Sequence, residues 1–303
     1  MFRRTMIMAA GLAVFATFSL AACSSNTPSS SGSGSDSKPT LVIGSQAYYS
    51  SDIIAEVYAQ GLENAGYTVD RQFDIGQREV YLPEIQSGGI DVFPEYTGPL
   101  LQYWQPDATV TLDADVYSAL QAAVPDGLRV LNEAPATDQD SYVVTQDFAN
   151  KWGLTTIDDL SKVTDPMTMG ANAEAQTRPN GPDGLLKTYG VSVGFTPIQD
   201  GGGPLTVKAL QDNQIQLAII YTSDPSIAAD NLVTLTDDKG LFLSSHVVPL
   251  VSDKVDDTAA GILNKIDALL TPDALIAMNA RSVNDQVPAS TIAHDWLADN
   301  NLN

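Results

Sequence analysis

Three tyrosines and one arginine carry most of the chemistry this sequence offers. Tyr96 follows the stretch Ile90-Asp91-Val92-Phe93-Pro94-Glu95, Tyr142 lies in Asp140-Ser141-Tyr142-Val143-Val144-Thr145, and Tyr221 follows the apolar run 217–220. A tyrosine face attracts an alkylated ammonium group through the ring quadrupole, by about 0.5–2 kcal/mol per contact depending on desolvation. Arg178, in Gln176-Thr177-Arg178-Pro179-Asn180-Gly181, is a basic residue in a loop of an otherwise acidic segment. Its planar fork can hold a carboxylate bidentately. Aromatic faces at one end and a guanidinium at the other suit a zwitterion. Taken one at a time, these residues are more simply three core tyrosines and an arginine paired with a local aspartate.

Other chemistries find less support. The two histidines, His246 and His294, are far apart, and Cys23 is the single cysteine, so no metal-ligand spacing is present. No Gly-x-Ser-x-Gly elbow occurs. Gly201-Gly202-Gly203 before Pro204 reads as a loop entering a helix rather than a phosphate cradle. Carboxylates abound, yet none is singled out as a catalytic pair, and solvated acidic faces are the default. No catalytic nucleophile, metal or cofactor is expected.

The elements that must position these residues alternate between strand and helix. Residues 40–43 form a short apolar run ending at Gly44-Ser45, and Ser50-Ser51 open a helix with Ile53, Ile54, Val57, Tyr58 and Leu62 on one face. Residues 68–73 alternate like a strand, and 77–87 read as a helix in which Pro83 marks a start or a kink. The run 90–93 is bounded by Gly88-Gly89 and is expected to stop at Pro94, leaving Tyr96 just past the carboxyl end of a strand, where open α/β sheets receive ligands. This βαβαβ order predicts a parallel α/β sheet with right-handed crossovers. A second such series starts near Thr156 and runs through strands at 167–170, 195–198 and 217–220. Another apolar run at 247–251 precedes three C-terminal helices. The pattern predicts two α/β lobes, 39–141 plus 246–303 and 142–245, with the chain crossing near Tyr142 and returning near Ser245.

The chain has 303 residues, 44% hydrophobic and 17% charged, enough to bury a substantial core. A formal net charge of −22 argues against nucleic acid as a partner, because no basic stripe exists to displace counterions. The N-terminus reads as an address. Arg3 and Arg4 precede the apolar stretch 6–20, and Leu20-Ala21-Ala22-Cys23 resembles a bacterial lipobox, implying cleavage after residue 22 and lipidation of Cys23. The Ser/Gly-rich segment 24–38 reads as a flexible tether with a reach of roughly 20 Å. These features predict a protein anchored by lipid on the outer face of the bacterial cytoplasmic membrane.

From about Thr40 to its end, the chain resembles the substrate-binding proteins of ABC importers for glycine betaine, choline and related quaternary amines. The motifs that carry the resemblance are Ile43-Gly44-Ser45, Gly76-Gln77-Arg78-Glu79-Val80, Ile90-Asp91-Val92-Phe93-Pro94-Glu95-Tyr96-Thr97-Gly98, Tyr221-Thr222-Ser223-Asp224, and Asp237-Asp238-Lys239 leading to Val248-Pro249-Leu250-Val251. The resemblance implies a two-lobed type II periplasmic-binding-protein fold that closes on its ligand by a hinge, and an ABC permease as partner. It also implies that Tyr96, Tyr142 and Tyr221 wall an ammonium cage, that Arg178 grips the ligand carboxylate, and that Gln46 and Asp140 line the cleft. The chain departs from the family pattern at three places. Ser245 stands where a fourth cage tyrosine is expected, Pro99 replaces a threonine after Thr97-Gly98, and Tyr48-Tyr49 replace a common Phe-Thr pair. Tyr48, Tyr49 and His246 are the candidates to fill the open wall. The alternative is a receptor of the same fold whose pocket has moved toward an aromatic or amino-acid-like ligand.

Overall fold

The computed structural model describes residues 38–303. The expected signal peptide, Cys23 and nearly all of the tether lie outside the described residues. Ten strands make two five-stranded sheets. The first holds β1 (Thr40–Gly44), β2 (Thr68–Gln72), β3 (Val92–Tyr96), β4 (Leu128–Val130) and β10 (Val247–Ser252). The second holds β5 (Asp140–Thr145), β6 (Thr168–Ala171), β7 (Gly194–Pro197), β8 (Leu217–Tyr221) and β9 (Leu232–Thr234).

The two sheets repeat one topology. Their strand orders are β2-β1-β3-β10-β4 and β7-β6-β8-β5-β9, with β10 and β5 antiparallel to both of their neighbours. In each sheet the antiparallel strand is the one the chain enters just after crossing from the other lobe. The fold is thus α/β and two-lobed. Two apolar clusters sandwich each sheet. On one face of the first, the helix Tyr49–Asn64 buries Ile53, Ile54, Val57, Tyr58 and Leu62 against the C-terminal helices, and on the other Tyr81, Leu82, Ile85, Leu100 and Leu101 pack beneath β3. The spacing of those positions at three and four residues places them on one stripe, which explains why the segment is a helix.

β3 runs through Pro94 rather than stopping before it. Pro94 stands opposite Pro249 of β10, and the Pro249 carbonyl turns away to accept from the Leu131 N–H at 2.9 Å. Pro94 therefore occupies a pair that exchanges no backbone bonds. Its missing donor would face β1, whose pairing with β3 is limited to Ile43 and Val92. A proline costs nothing where no ladder bond is required. Tyr96 is accordingly the last residue of the strand rather than a loop residue.

The crossing segments, 131–139 and 235–246, meet as a short antiparallel ribbon. Ala134 N–H donates to the Val247 carbonyl, Val247 N–H to the Ala136 carbonyl and Asp138 N–H to the Ser245 carbonyl, at 2.8, 3.0 and 3.1 Å. The Ser245 hydroxyl returns a bond to the Asp138 carbonyl at 3.1 Å. This ribbon is the connection between the lobes nearest the cleft. Gly98 lies against it: a Cβ there would stand 2.5 Å from the Ser244 carbonyl oxygen, so close approach, not turn geometry, demands the glycine.

Candidate functional site

The carboxyl ends of β3 and β8, with the amino ends of the antiparallel β10 and β5 beside them, face each other across a cleft. Its deepest part is walled by Gln46, Tyr48 and Arg78 from the first lobe's loops and helices, Tyr96 and Pro99 at the end of β3, Asp138 from the ribbon, and Asp140, Arg178 and Tyr221 from the second lobe. Five of the six residues that the sequence suggested are therefore brought together: Gln46, Tyr96, Asp140, Arg178 and Tyr221.

Tyr142 is placed elsewhere. Its ring is fully buried in the second lobe's core, edge-on to Phe242 with centroids 5.0 Å apart. Its hydroxyl donates to the Asn180 carbonyl at 2.8 Å, while the Asn180 amide donates to Asp140 at 2.9 Å. Tyr142 thus reaches the cavity at second hand, by fixing the residue that holds Asp140.

Tyr48 fills the aromatic wall that Ser245 leaves open. Its ring lies 5.0 Å from that of Tyr221 and 6.5 Å from that of Tyr96, and its hydroxyl bonds the Tyr96 hydroxyl and, at 3.3 Å, Oδ2 of Asp138. Tyr49 packs edge-on behind it and reaches across the cleft to Asp224 at 2.6 Å. His246 is turned away, bonding the Ala134 carbonyl at 2.7 Å and lying 3.5 Å from Asp113. Ser245 is buried in the ribbon and is no part of the wall.

Asp138 is the site residue that sequence reasoning missed. It is buried, and its Oδ1 accepts from the Ser223 hydroxyl at 2.6 Å and the Ser223 N–H at 3.3 Å. Burial pushes its carboxyl up to about 7 against the opposing pull of those bonds. One signal was available: Asp138 and Asp140 are separated by one residue in an extended segment, which puts both side chains on the same side. Burial also raises the half-buried Asp140, opposed by Arg178, Arg78 and the Asn180 amide.

Both arginines already hold carboxylates. Buried Arg78 makes two 2.9 Å bonds to Glu95, which also accepts from Tyr81 at 2.5 Å and from the Tyr96 N–H at 2.8 Å. Arg178 grips Glu79 through Nε at 3.1 Å and a terminal nitrogen at 2.9 Å, joining the second lobe to the helix Arg78–Gln86 of the first. The fork expected to meet a ligand carboxylate is engaged by the protein itself. The lobes are closed on one another, and the space left between these side chains is about 10 Å³, room for no more than a water molecule. A larger and shallower concavity, lined by Gln146, Lys151, Asp165, Gln211 and Asp230, lies away from the cleft and holds none of these residues.

Comparison with known proteins agrees with this architecture. The chain is 26% identical over 270 residues to the glycine betaine-binding protein YehZ of Escherichia coli K12, covering 84% of this chain and 88% of that one. It is 27% identical over 285 residues to the carnitine transport binding protein OpuCC of Listeria monocytogenes, covering 89% and 90%. Among solved structures, that of a glycine betaine/carnitine/choline ABC transporter protein superposes with a TM-score of 0.70 at 19% identity, covering 86% of this chain and 99% of that one, a likeness of fold. Residues 39–299 match the family model for the substrate-binding domain of ABC-type glycine betaine transport systems, and the chain belongs to that family.

Proposed function

We propose that this protein is the extracytoplasmic receptor of an ABC importer, capturing a quaternary-amine osmolyte of the glycine betaine and choline class and delivering it to the permease. The observation that carries this reading is the cross-lobe cluster of Tyr48, Tyr96 and Tyr221 around the buried Asp138. Aromatic faces and a carboxylate in a dry cleft together favour an alkylated cation. The ligand enters when the cleft opens about the ribbon, and closure is favoured by the contacts it then gains from both lobes. Gln46 and Asp140 line the cleft, Arg178 closes it, and Tyr142 steadies Asp140 through Asn180. No bond is made or broken in the ligand.

Titration calorimetry with glycine betaine, choline, carnitine and proline betaine tests the reading. Saturable binding that Tyr96→Ala abolishes supports it, whereas no heat from any of the four with folded protein sinks it. Lipid attachment at Cys23 belongs to the same proposal, supported by the lipobox-like Leu20-Ala21-Ala22-Cys23. Metabolic labelling with a fatty acid should mark the wild-type protein and not Cys23→Ser.

A further inference from the structure

The charges of the cleft do not balance. Arg78 and Arg178 are the cationic side chains among its lining residues, and no lysine or histidine joins them. Each is met by a carboxylate of its own, Glu95 and Glu79. Asp138 and Asp140 remain, and neither is paired with a cation: Asp138 is held by Ser223 and Tyr48, Asp140 by Asn180. With both guanidiniums already paired, the two carboxylates that line the cavity, Asp138 and Asp140, are left without a cation in a space from which water is nearly excluded. An added carboxylate would enter an anionic, low-dielectric site with no free fork to receive it, while a cation without one would neutralise charge already buried there.

From this imbalance we infer that the cavity selects organic cations that carry no carboxylate over the corresponding zwitterions, with Asp138 as the specificity-determining residue. The inference rests on the proposed receptor function, and narrows it from quaternary amines in general to cations without a carboxylate. Asp138 is suited to the role by position. It is deep in the cleft, its Oδ2 shares the aromatic wall through Tyr48, and its Oδ1 is fixed by Ser223, which the Asn279 amide of the first lobe holds in turn at 2.9 Å. The carboxylate is therefore pre-oriented by both lobes, and a ligand need not order it. Burial raises the proton affinity of Asp138, and the neighbouring Asp140 and Asp224 add to the effect.

Matched pairs of ligands that differ in the carboxylate test this on the purified full-length protein. Choline is compared with glycine betaine, and agmatine with arginine, by calorimetric titration at pH 8. The expected result is a preference of tenfold or more for the cationic member of whichever pair binds, reduced to threefold or less by Asp138→Asn. A carboxylate-bearing member bound as tightly as its partner, or more tightly, overturns the inference on wild-type protein alone, whatever the variant does. Binding confined to agmatine would uphold the inference while the quaternary-amine reading fell. Binding of choline and glycine betaine with equal affinity would do the reverse. Folded protein that takes no member of either pair overturns both.

Discussion

Tyr48 and Tyr221 meet across the cleft, their ring centroids 5.0 Å apart and their planes inclined by 36°. One comes from the loop after β1 and the other from the end of β8, so this contact bridges the two lobes. On the proposed reading an alkylated cation parts these rings and lies between Tyr48, Tyr96 and Tyr221. Tyr48→Ala is therefore expected to weaken a quaternary ammonium ligand by about 3- to 30-fold, the equivalent of one lost cation–π face of roughly 0.5–2 kcal/mol. Tyr48→Phe keeps the face and removes the hydroxyl bonds to Tyr96 and Asp138, and should change affinity by less than about threefold. Equal, large losses for both variants by calorimetry would show that the hydroxyl, not the ring, matters.

The Arg78–Glu95 pair is buried on both sides, with side-chain exposures of 8% and 0%. Breaking such a pair leaves a charge without its partner and costs about 3–5 kcal/mol. Glu95→Ala should lower the urea midpoint accordingly, and should lose the bonds that Glu95 accepts from Tyr81 and Tyr96. A loss below about 1 kcal/mol would mean that Arg78 finds other compensation.

The Arg178–Glu79 pair is a different case. It joins the lobes at the rim, where Glu79 is 42% exposed, so water and salt screen it. Glu79→Ala should leave unfolding stability within about 1 kcal/mol. It should instead speed ligand release by up to about fivefold, an effect that shrinks at high salt. Stopped-flow displacement at two ionic strengths measures this. An unchanged release rate would remove the pair from the closure step.

Asp138 makes both stability and binding depend on pH, in opposite senses. Its folded carboxyl titrates at about 7, above its ordinary value of 3.8, so the ligand-free fold holds its proton longer than the unfolded chain does. Stability is then greatest on the acid side of that window and falls as pH rises toward 7, by at most about 4 kcal/mol for this group. Facing it are Tyr48 from the first lobe, Tyr96 at the end of β3, Asp140 at the start of β5, and Tyr221, Ser223 and Asp224 beyond β8. Asp138→Asn should flatten the slope of urea midpoint against pH between 5 and 7. A cation prefers the ionised form, so its affinity should rise nearly tenfold per pH unit below 7 and level off above. An affinity flat from pH 5.5 to 8 would show that Asp138 does not meet the ligand's charge.

Much of this architecture was legible in the order and spacing of residues. Alternating strand and helix patterns fixed the α/β class, and apolar positions such as Ile53, Val57 and Leu62 set the face of the first helix. Pro94 misled because a proline's effect on a strand depends on the bond its neighbour asks for, and Pro249, more than 150 residues away, asks for none. Tyr142 could not be located from its strand alone. It shares a face with Asp140, but two residues further along β5 is a shift of about 6.6 Å, enough to pass from cavity to core. Depth along a strand is set by what packs above it, here Asn180 and Phe242. The same limit applies to Arg178: its sequence shows a fork, while the carboxylate that occupies the fork arrives from the other lobe.

Asp138 belongs to the ribbon about which we propose the lobes turn, and distance from a pivot governs how far a group travels. A carboxylate beside the axis sweeps a short arc, so it presents nearly the same face in the open and closed forms. Arg178 and Glu79, at the rim, have the longer lever arm and meet only late in the swing. Capture and retention are thereby separated in space. On that proposal the charge that first attracts a ligand would stay almost stationary, and the contacts that decide how long it remains would be made by the parts that move most.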